Sequence, residues 1–168
     1  MIEKRVRLLA SIAMFAAVYA AGVVALAPIS FHIYQVRVAD ALLALSTIMG
    51  LPVILGTTLG CIIANVYCGY GIIDVVGGSL ANLLAASIGF IIAKRKFRGS
   101  LLIALLAETL IISGIVGSYL AILFDVPIEI GFLGILIGSI IAINMLGYCL
   151  VKVLEGRMDA LLKYVGEC

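Results

Sequence analysis

The sequence predicts an all-α integral membrane protein: a compact bundle of six transmembrane helices forming one domain over residues 1–168, with both termini in the cytoplasm. Three observations carry that expectation. Hydrophobic residues make up 65% of the chain and charged residues 12%, against about 45–50% and about 25% in a soluble domain. With a mean hydropathy of +1.32, a soluble core of this length could not bury so much apolar surface. The apolar residues also come in blocks close to the ~20 residues that a membrane-spanning helix needs. Those blocks lack the two-residue alternation of a membrane β-barrel.

The blocks fall in order along the chain. After the basic start MIEKRVR, the first runs over 8–27 and stops at Pro28. Its basic lead and the small residues Ala25 and Ala27 resemble a signal peptide. The apolar run is nevertheless as long as a full span, and a proline would follow the cut, so we read an uncleaved first helix. A polar connector, PISFHIYQVRVAD, follows. The next apolar stretch breaks at Gly50-Leu51-Pro52, because a residue before proline is disfavoured in a helix. We read it as two short spans, 37–50 and 52–68. Further spans are expected over 71–93, 100–124 and 130–152, and the mixed-charge tail from Lys152 to Cys168 is expected to form a short surface helix.

Parity supports six spans. With the N-terminus inside, Lys4, Arg5, Arg7, Lys94, Arg95, Lys96, Arg98, Lys152, Arg157 and Lys163 all fall inside and only Arg37 outside, which is the positive-inside pattern. With five spans the cluster KRKFR would face outward.

Several function classes are excluded or disfavoured. Four cysteines without a C-x-x-C pair, and one histidine, argue against a zinc site. Cys61 and Cys68 read as small packing residues on one helical face. No metal or cofactor is expected. A net charge of +2 gives no sign of nucleic-acid binding. There is no phosphate-binding G-x-x-x-x-G-K-[ST] loop, no H-E-x-x-H, and no evident nucleophile–base pair. A membrane enzyme is therefore the weakest reading, and no inverted repeat of a self-sufficient carrier is visible.

Ionisable groups at membrane depth cost about 2.5–3.5 kcal/mol or more, so they face the bundle interior and tend to be functional. Here they are Asp74 and Glu108, with Arg37 and Asp40 at the outer edge of the second span and Asn65, Asn82 and Asn144 as membrane amides. In the helix that begins YGIIDVVGGSLANLL, the residues Gly71, Asp74, Gly78, Asn82, Ala85 and Gly89 recur at helical steps and share one small, polar face. Asp74 either pairs with Arg37 to lock the outer loop or contributes to a ligand site. Glu108 lies deeper, with Tyr119 on nearly the same face further out. In the first span Ala13, Ala17, Ala21 and Ala25 repeat every four residues, with Ala16 and Ala20 beside them. Such a ridge suits close helix contact, either within the bundle or with a partner subunit. Gly134-x-x-x-Gly138 is a weaker instance.

QVRVADALLAL followed by LGCIIANVYCGYGIIDVVGGSLANLLAA resembles the QueT family, substrate-binding (S) components of energy-coupling factor (ECF) transporters. The R-V-x-[DE]-A-L element is matched by Arg37, Val38, Asp40, Ala41 and Leu42. The G-C-x-x-A-N element is matched by Gly60, Cys61, Ala64 and Asn65, and a D-V-V-x-G-S-L-A element begins at Asp74. The resemblance implies a six-helix, multi-pass protein of a prokaryotic plasma membrane, with its ligand site near the extracellular side. It also implies a shared transmembrane T component and two cytosolic ATPases as partners. The ridge of Ala13, Ala17 and Ala21, with Ala16 and Ala20, resembles the motif that docks the T component.

The implied substrate is a queuosine precursor, a 7-deazaguanine base. A carboxylate from Asp74, Asp40 or Glu108 would accept the paired N–H donors of such a base, an amide would meet the neighbouring carbonyl, and Tyr67 could stack. Thr109 and Gly138-Ser139 stand where the family commonly has an asparagine and a Gly-Glu pair, and Asn82 where it commonly has threonine. The implied ligand set is thus Arg37, Asp40, Asn65, Tyr67, Asp74, Asn82, Glu108, Tyr119 and Ser139. The departures leave open an S component for another vitamin-like substrate. The competing class is a stand-alone carrier coupled to protons through Glu108.

Overall fold

A computed structural model describes residues 2–32, 35–68 and 70–166. Among these residues every regular element is helical. Helix α1, Ile2–Ala25, is followed by the single turn α2, Ala27–Ser30, with Pro28 in its first turn, where a missing N–H costs nothing. The connector then enters a 3₁₀ helix, Val38–Leu45, that runs directly into α3, Ser46–Met49. Helix α4 covers Leu51–Cys68, α5 Ile72–Lys94 and α6 Ser100–Leu123. Helix α7, Ile128–Ser139, continues through a π-helical stretch, Ile140–Gly147, into α8, Tyr148–Gly166. The tail is therefore not a separate surface helix; it prolongs the last apolar helix, and Cys168 lies outside the described residues.

Among the described residues four helices are long and apolar enough to cross a membrane: Glu3–Ala25, Ile72–Lys94, Ser100–Leu123 and Ile128–Arg157. Two shorter apolar helices, Val38–Met49 and Leu51–Tyr67, lie between the first and second of these. The break between them is Gly50, whose φ of 66° is left-handed and whose N–H caps Ser46 O at 2.8 Å. Pro52 then falls in the first turn of α4. The 3₁₀ winding has a geometric consequence. At ~2.0 Å rise per residue it stretches Val38–Met49 to roughly 22 Å, longer than the same residues would reach as an α-helix.

Packing places the 3₁₀ segment at the centre. Helix α1 packs on α4, α4 on α5, α5 on α6 and α6 on α7, while Val38–Leu45 touches α1, α4, α5, α6, α8 and the π stretch. Small residues set these distances. A methyl group on Gly56 would meet Phe15, and one on Gly60 would meet Tyr19 and the Ala16 carbonyl, so α1 and α4 approach to near backbone contact. Gly117 and Gly131 do the same for α6 and α7, and Gly147 seats the π stretch against Ala44.

The surface is apolar: Leu9, Val18, Ile63, Ile73, Leu110 and Ile137 are among many large side chains turned outward. The interior holds polar groups, including Arg37, Asp40, Asn65, Asp74, Asn82 and Glu108. That inversion of the soluble pattern is what a helical bundle in lipid requires.

Candidate functional site

The polar interior is built in three layers. The first surrounds Asp40. It lies in the first turn of the 3₁₀ helix, which presents Ala39, Asp40 and Ala41 to the core. The hydroxyl of Tyr19, fully buried on α1, donates to Asp40 Oδ1 at 2.5 Å. Arg37, three residues earlier, is also buried; its guanidinium lies 5.2 Å from the Phe31 ring centroid, and Nη1 donates to Cys61 Sγ at 3.6 Å. Asp40 and Arg37 line a small cavity with Gln35, Asn82 and Ser139, closed on its other side by Ile112, Val116 and Ile135. Its free volume for a water-sized sphere is about 10 Å³, roughly one water molecule. Any larger ligand requires the walls to part. Asn82 is loosely held, donating to Thr57 O at 3.4 Å, so its amide can re-aim.

The second layer centres on Asp74 in the first turn of α5. The Tyr119 hydroxyl donates to Asp74 Oδ1 at 2.8 Å, and Asn65 Nδ2 donates to the Asp74 carbonyl at 2.8 Å. Gly78 makes this possible: a methyl group there would collide with the Asn65 amide and touch Cys61 Sγ and the Tyr119 hydroxyl. Asp74 and Arg37 form no ion pair among the described residues. The ion-pair alternative fails because Arg37 is engaged by Phe31 and Cys61, while Asp74 is turned toward Tyr119.

The third layer is deeper. Glu108 is fully buried, accepts from Ser46 Oγ at 3.1 Å, and occupies space that exists because position 89 is glycine. Nearby, Asn144 Nδ2 donates to Thr109 Oγ1 at 2.5 Å. Glu108 sits one helical turn before Ile112 and does not line the cavity.

Buried polar atoms are almost always paired. Among the described residues five are not: Ser30 Oγ, Arg37 Nε, Asn65 Oδ1, Asp74 Oδ2 and Glu108 Oε2. Four of these residues belong to the predicted set, and the orphaned atoms are hydrogen-bonding capacity that the protein itself does not use.

The structure thus brings Arg37, Asp40, Asn82 and Ser139 together, places Asn65, Asp74 and Tyr119 in an adjoining cluster, and sets Glu108 below. Tyr67 joins none of them. It is 73% exposed, on the side of α4 away from the buried Asn65, and does not line this cavity. The alanine ridge also divides. Ala13, Ala17 and Ala21 are exposed, whereas Ala16 and Ala20 are buried; Ala16 packs against the α4 glycines. The latter pair is internal packing and unavailable to a partner. Gly138 is likewise internal, pressed against the Gln35 carbonyl.

A family model described as QueT transporter matches residues 9–156, nearly the whole chain and every residue of the three layers. The chain belongs to the QueT transporter family. No curated protein and no solved structure matches it. As a QueT transporter the chain is a multi-pass membrane protein and a transport component, not an enzyme.

Several residues of this candidate site carry no clear signal in the QueT-family sequence. Tyr19 and Gln35 build the site as directly as the predicted residues. Gln35 stood at the head of the QVRVAD motif and could have been included. Tyr19 was masked by the alanines around it, although it is the polar group on the ridge's buried side. Ser46 and Thr57 had no sequence signal beyond a hydroxyl in an apolar run.

Proposed function

We propose that this QueT-family chain is the substrate-binding subunit of an ECF-type importer, capturing a 7-deazaguanine base from the extracellular side. In this reading six spans cross the membrane, formed by α1, the 3₁₀–α3 segment, α4, α5, α6 and the α7–α8 helix, and both termini are cytoplasmic. The basic residues Lys94, Arg95, Lys96 and Arg98 then lie inside, with the site in the opposite half of the bundle. A T component and cytosolic ATPases supply the energy.

The observation that carries the reading is the buried Asp40 carboxylate, held by Tyr19 and grouped with Arg37, Gln35, Asn82 and Ser139 around one cavity. A carboxylate accepts two adjacent N–H donors bidentately, which is what a guanine-like edge presents. Amides from Gln35 and Asn82 both donate and accept, so they can meet the neighbouring carbonyl and ring nitrogen. The apolar wall of Ile112, Val116 and Ile135 suits a flat ring face.

The test is titration of the detergent-purified chain with 7-deazaguanine and, as a control, 7-deazaadenine. Saturable binding of the first, weakened on the order of a hundredfold by Asp40→Ala, is expected. Equal binding of both bases, or none, defeats the reading. A second reading, a carrier driven by a proton gradient, is favoured by the unpartnered Glu108 Oε2. It requires uptake into liposomes under a pH gradient without other subunits.

A further inference from the structure

A second cavity lies at the other end of α5 and α6 from Asp74 and Tyr119. It is a groove of about 610 Å³ where four elements meet. Thr47 and Ile48 come from α3, Ala93 from the end of α5, Lys96 and Phe97 from the turn after it, Ser100 and Leu101 from the start of α6, and Glu155 from α8. The turn that carries Lys96 is built rather than loose. Arg95 N–H bonds Ile92 O, Lys96 N–H bonds Ala93 O and Ser100 N–H bonds Phe97 O, at 3.1, 3.1 and 2.9 Å. Lys96 itself holds a left-handed φ of 49°, a conformation a lysine rarely adopts without support.

We propose that this groove binds the phosphate headgroup of an anionic membrane lipid. Helices α5 and α6 are both of membrane-spanning length, so the turn between them lies at headgroup level. Lys94, Arg95, Lys96 and Arg98 put four cations in five residues there, and none of them is in an ion pair among the described residues. Lys94 instead lies over the Phe90 ring at 5.9 Å. The acidic group on the groove wall, Glu155, is already bound by Lys152 Nζ at 2.9 Å. The walls are mixed in a way that suits one ligand class. Lys96 and Ser100 supply a cation and a hydroxyl, while Ile48, the exposed Phe97 and Leu101 supply apolar surface beside them. A soluble anion has no use for the apolar wall, and a neutral lipid has none for the cations. Basic pockets between membrane helices are a recognised setting for acidic headgroups. The inference does not depend on which substrate the outer site takes.

The experiment is native mass spectrometry of the full chain in detergent, offered equal amounts of phosphatidylglycerol and phosphatidylcholine with the same acyl chains. Wild type is expected to retain phosphatidylglycerol preferentially. Lys96→Gln should cut that preference about fivefold, and Lys96→Gln with Arg98→Gln should bring it close to parity. Arg7→Gln, a basic residue of α1 paired with Glu3 and outside the groove, should leave it unchanged. Circular dichroism of each variant shows that it is folded. Excess inorganic phosphate should compete weakly, because it lacks the acyl chains. Equal retention of the two lipids by wild type, as expected of a groove meant for a protein partner, overturns the proposal. So does an unchanged preference in the folded double variant. Complete displacement by phosphate at lipid-equivalent concentration overturns the lipid as the source of the headgroup.

Discussion

Tyr19 donates its hydroxyl hydrogen to Asp40 across 2.5 Å, with both side chains buried and 21 residues between them in the chain. The bond joins α1 to the central 3₁₀ segment. It fixes the direction of a carboxylate that lines the cavity. Tyr19→Phe keeps the ring that packs on Gly60 and removes only the donor. It should weaken base binding about tenfold, the worth of one hydrogen bond to a charged group, and also lower the melting temperature, because a buried carboxylate oxygen loses its donor. Isothermal titration of the variant, beside Asp40→Asn, measures it. A Tyr19→Phe protein with wild-type affinity would show that Asp40 needs no orienting partner.

Asp74 and Tyr119 form the neighbouring pair, and here a structural role and a ligand role make different demands. Tyr119→Phe leaves Asp74 without its side-chain donor and should cost about 1–3 kcal/mol of stability. If Asp74 also touches the base through its orphaned Oδ2, Asp74→Ala should weaken binding by orders of magnitude, and Tyr119→Phe much less. Equal small losses in both variants would assign Asp74 to packing alone. Melting curves with and without base separate the two cases.

Gly89 faces the Glu108 carboxylate so closely that an added methyl group cannot fit without moving it. Gly89→Ala should therefore destabilise the bundle by roughly 1–3 kcal/mol, as overpacking does. Gly114, also within a helix, has open space where its Cβ would be, and Gly114→Ala should be neutral. Truncating Glu108 to alanine in the Gly89→Ala background should restore much of the loss, because the two side chains compete for one volume. Thermal unfolding in detergent of the two single variants and the double variant gives the coupling.

The two sides of α1 should respond oppositely to bulk. Ala16→Leu and Ala20→Leu enlarge buried residues, Ala16 against the backbone-close α4 contact, and should lower expression of folded protein. Ala17→Leu and Ala21→Leu lie on the exposed face and should leave stability and base binding intact. In the proposed importer they should reduce co-purification with the T component, which an affinity pull-down from cells expressing all subunits reads directly.

Much was legible before the fold was known. Composition and block length required helices in a membrane. The basic start MIEKRVR and the cluster KRKFR suggested which ends share a side. The step pattern of the helix that begins YGIIDVVGGSLANLL identified a face whose Asp74, Gly78, Asn82, Ala85 and Gly89 are all buried. The break at Gly50 was readable because glycine and proline disrupt helices for local reasons. The 3₁₀ winding of Val38–Leu45 was not, since it answers to the crowding of that segment by six neighbouring elements.

The sequence by itself determined the solvent, the helices, the family motifs and the inward face of α5, because each depends on residues near one another in the chain. Only the tertiary structure decided which polar groups meet. Tyr19 meets Asp40, Asp74 meets Tyr119 and Ser46 meets Glu108, across 21, 45 and 62 residues. It also turned Tyr67 outward and divided the alanines of α1 between core and surface. Helical periodicity says that residues share a face, but not how far each helix rotates about its axis. In this bundle that rotation is set by the contacts at Gly56, Gly60, Gly117 and Gly131, where helices approach closely only in one orientation.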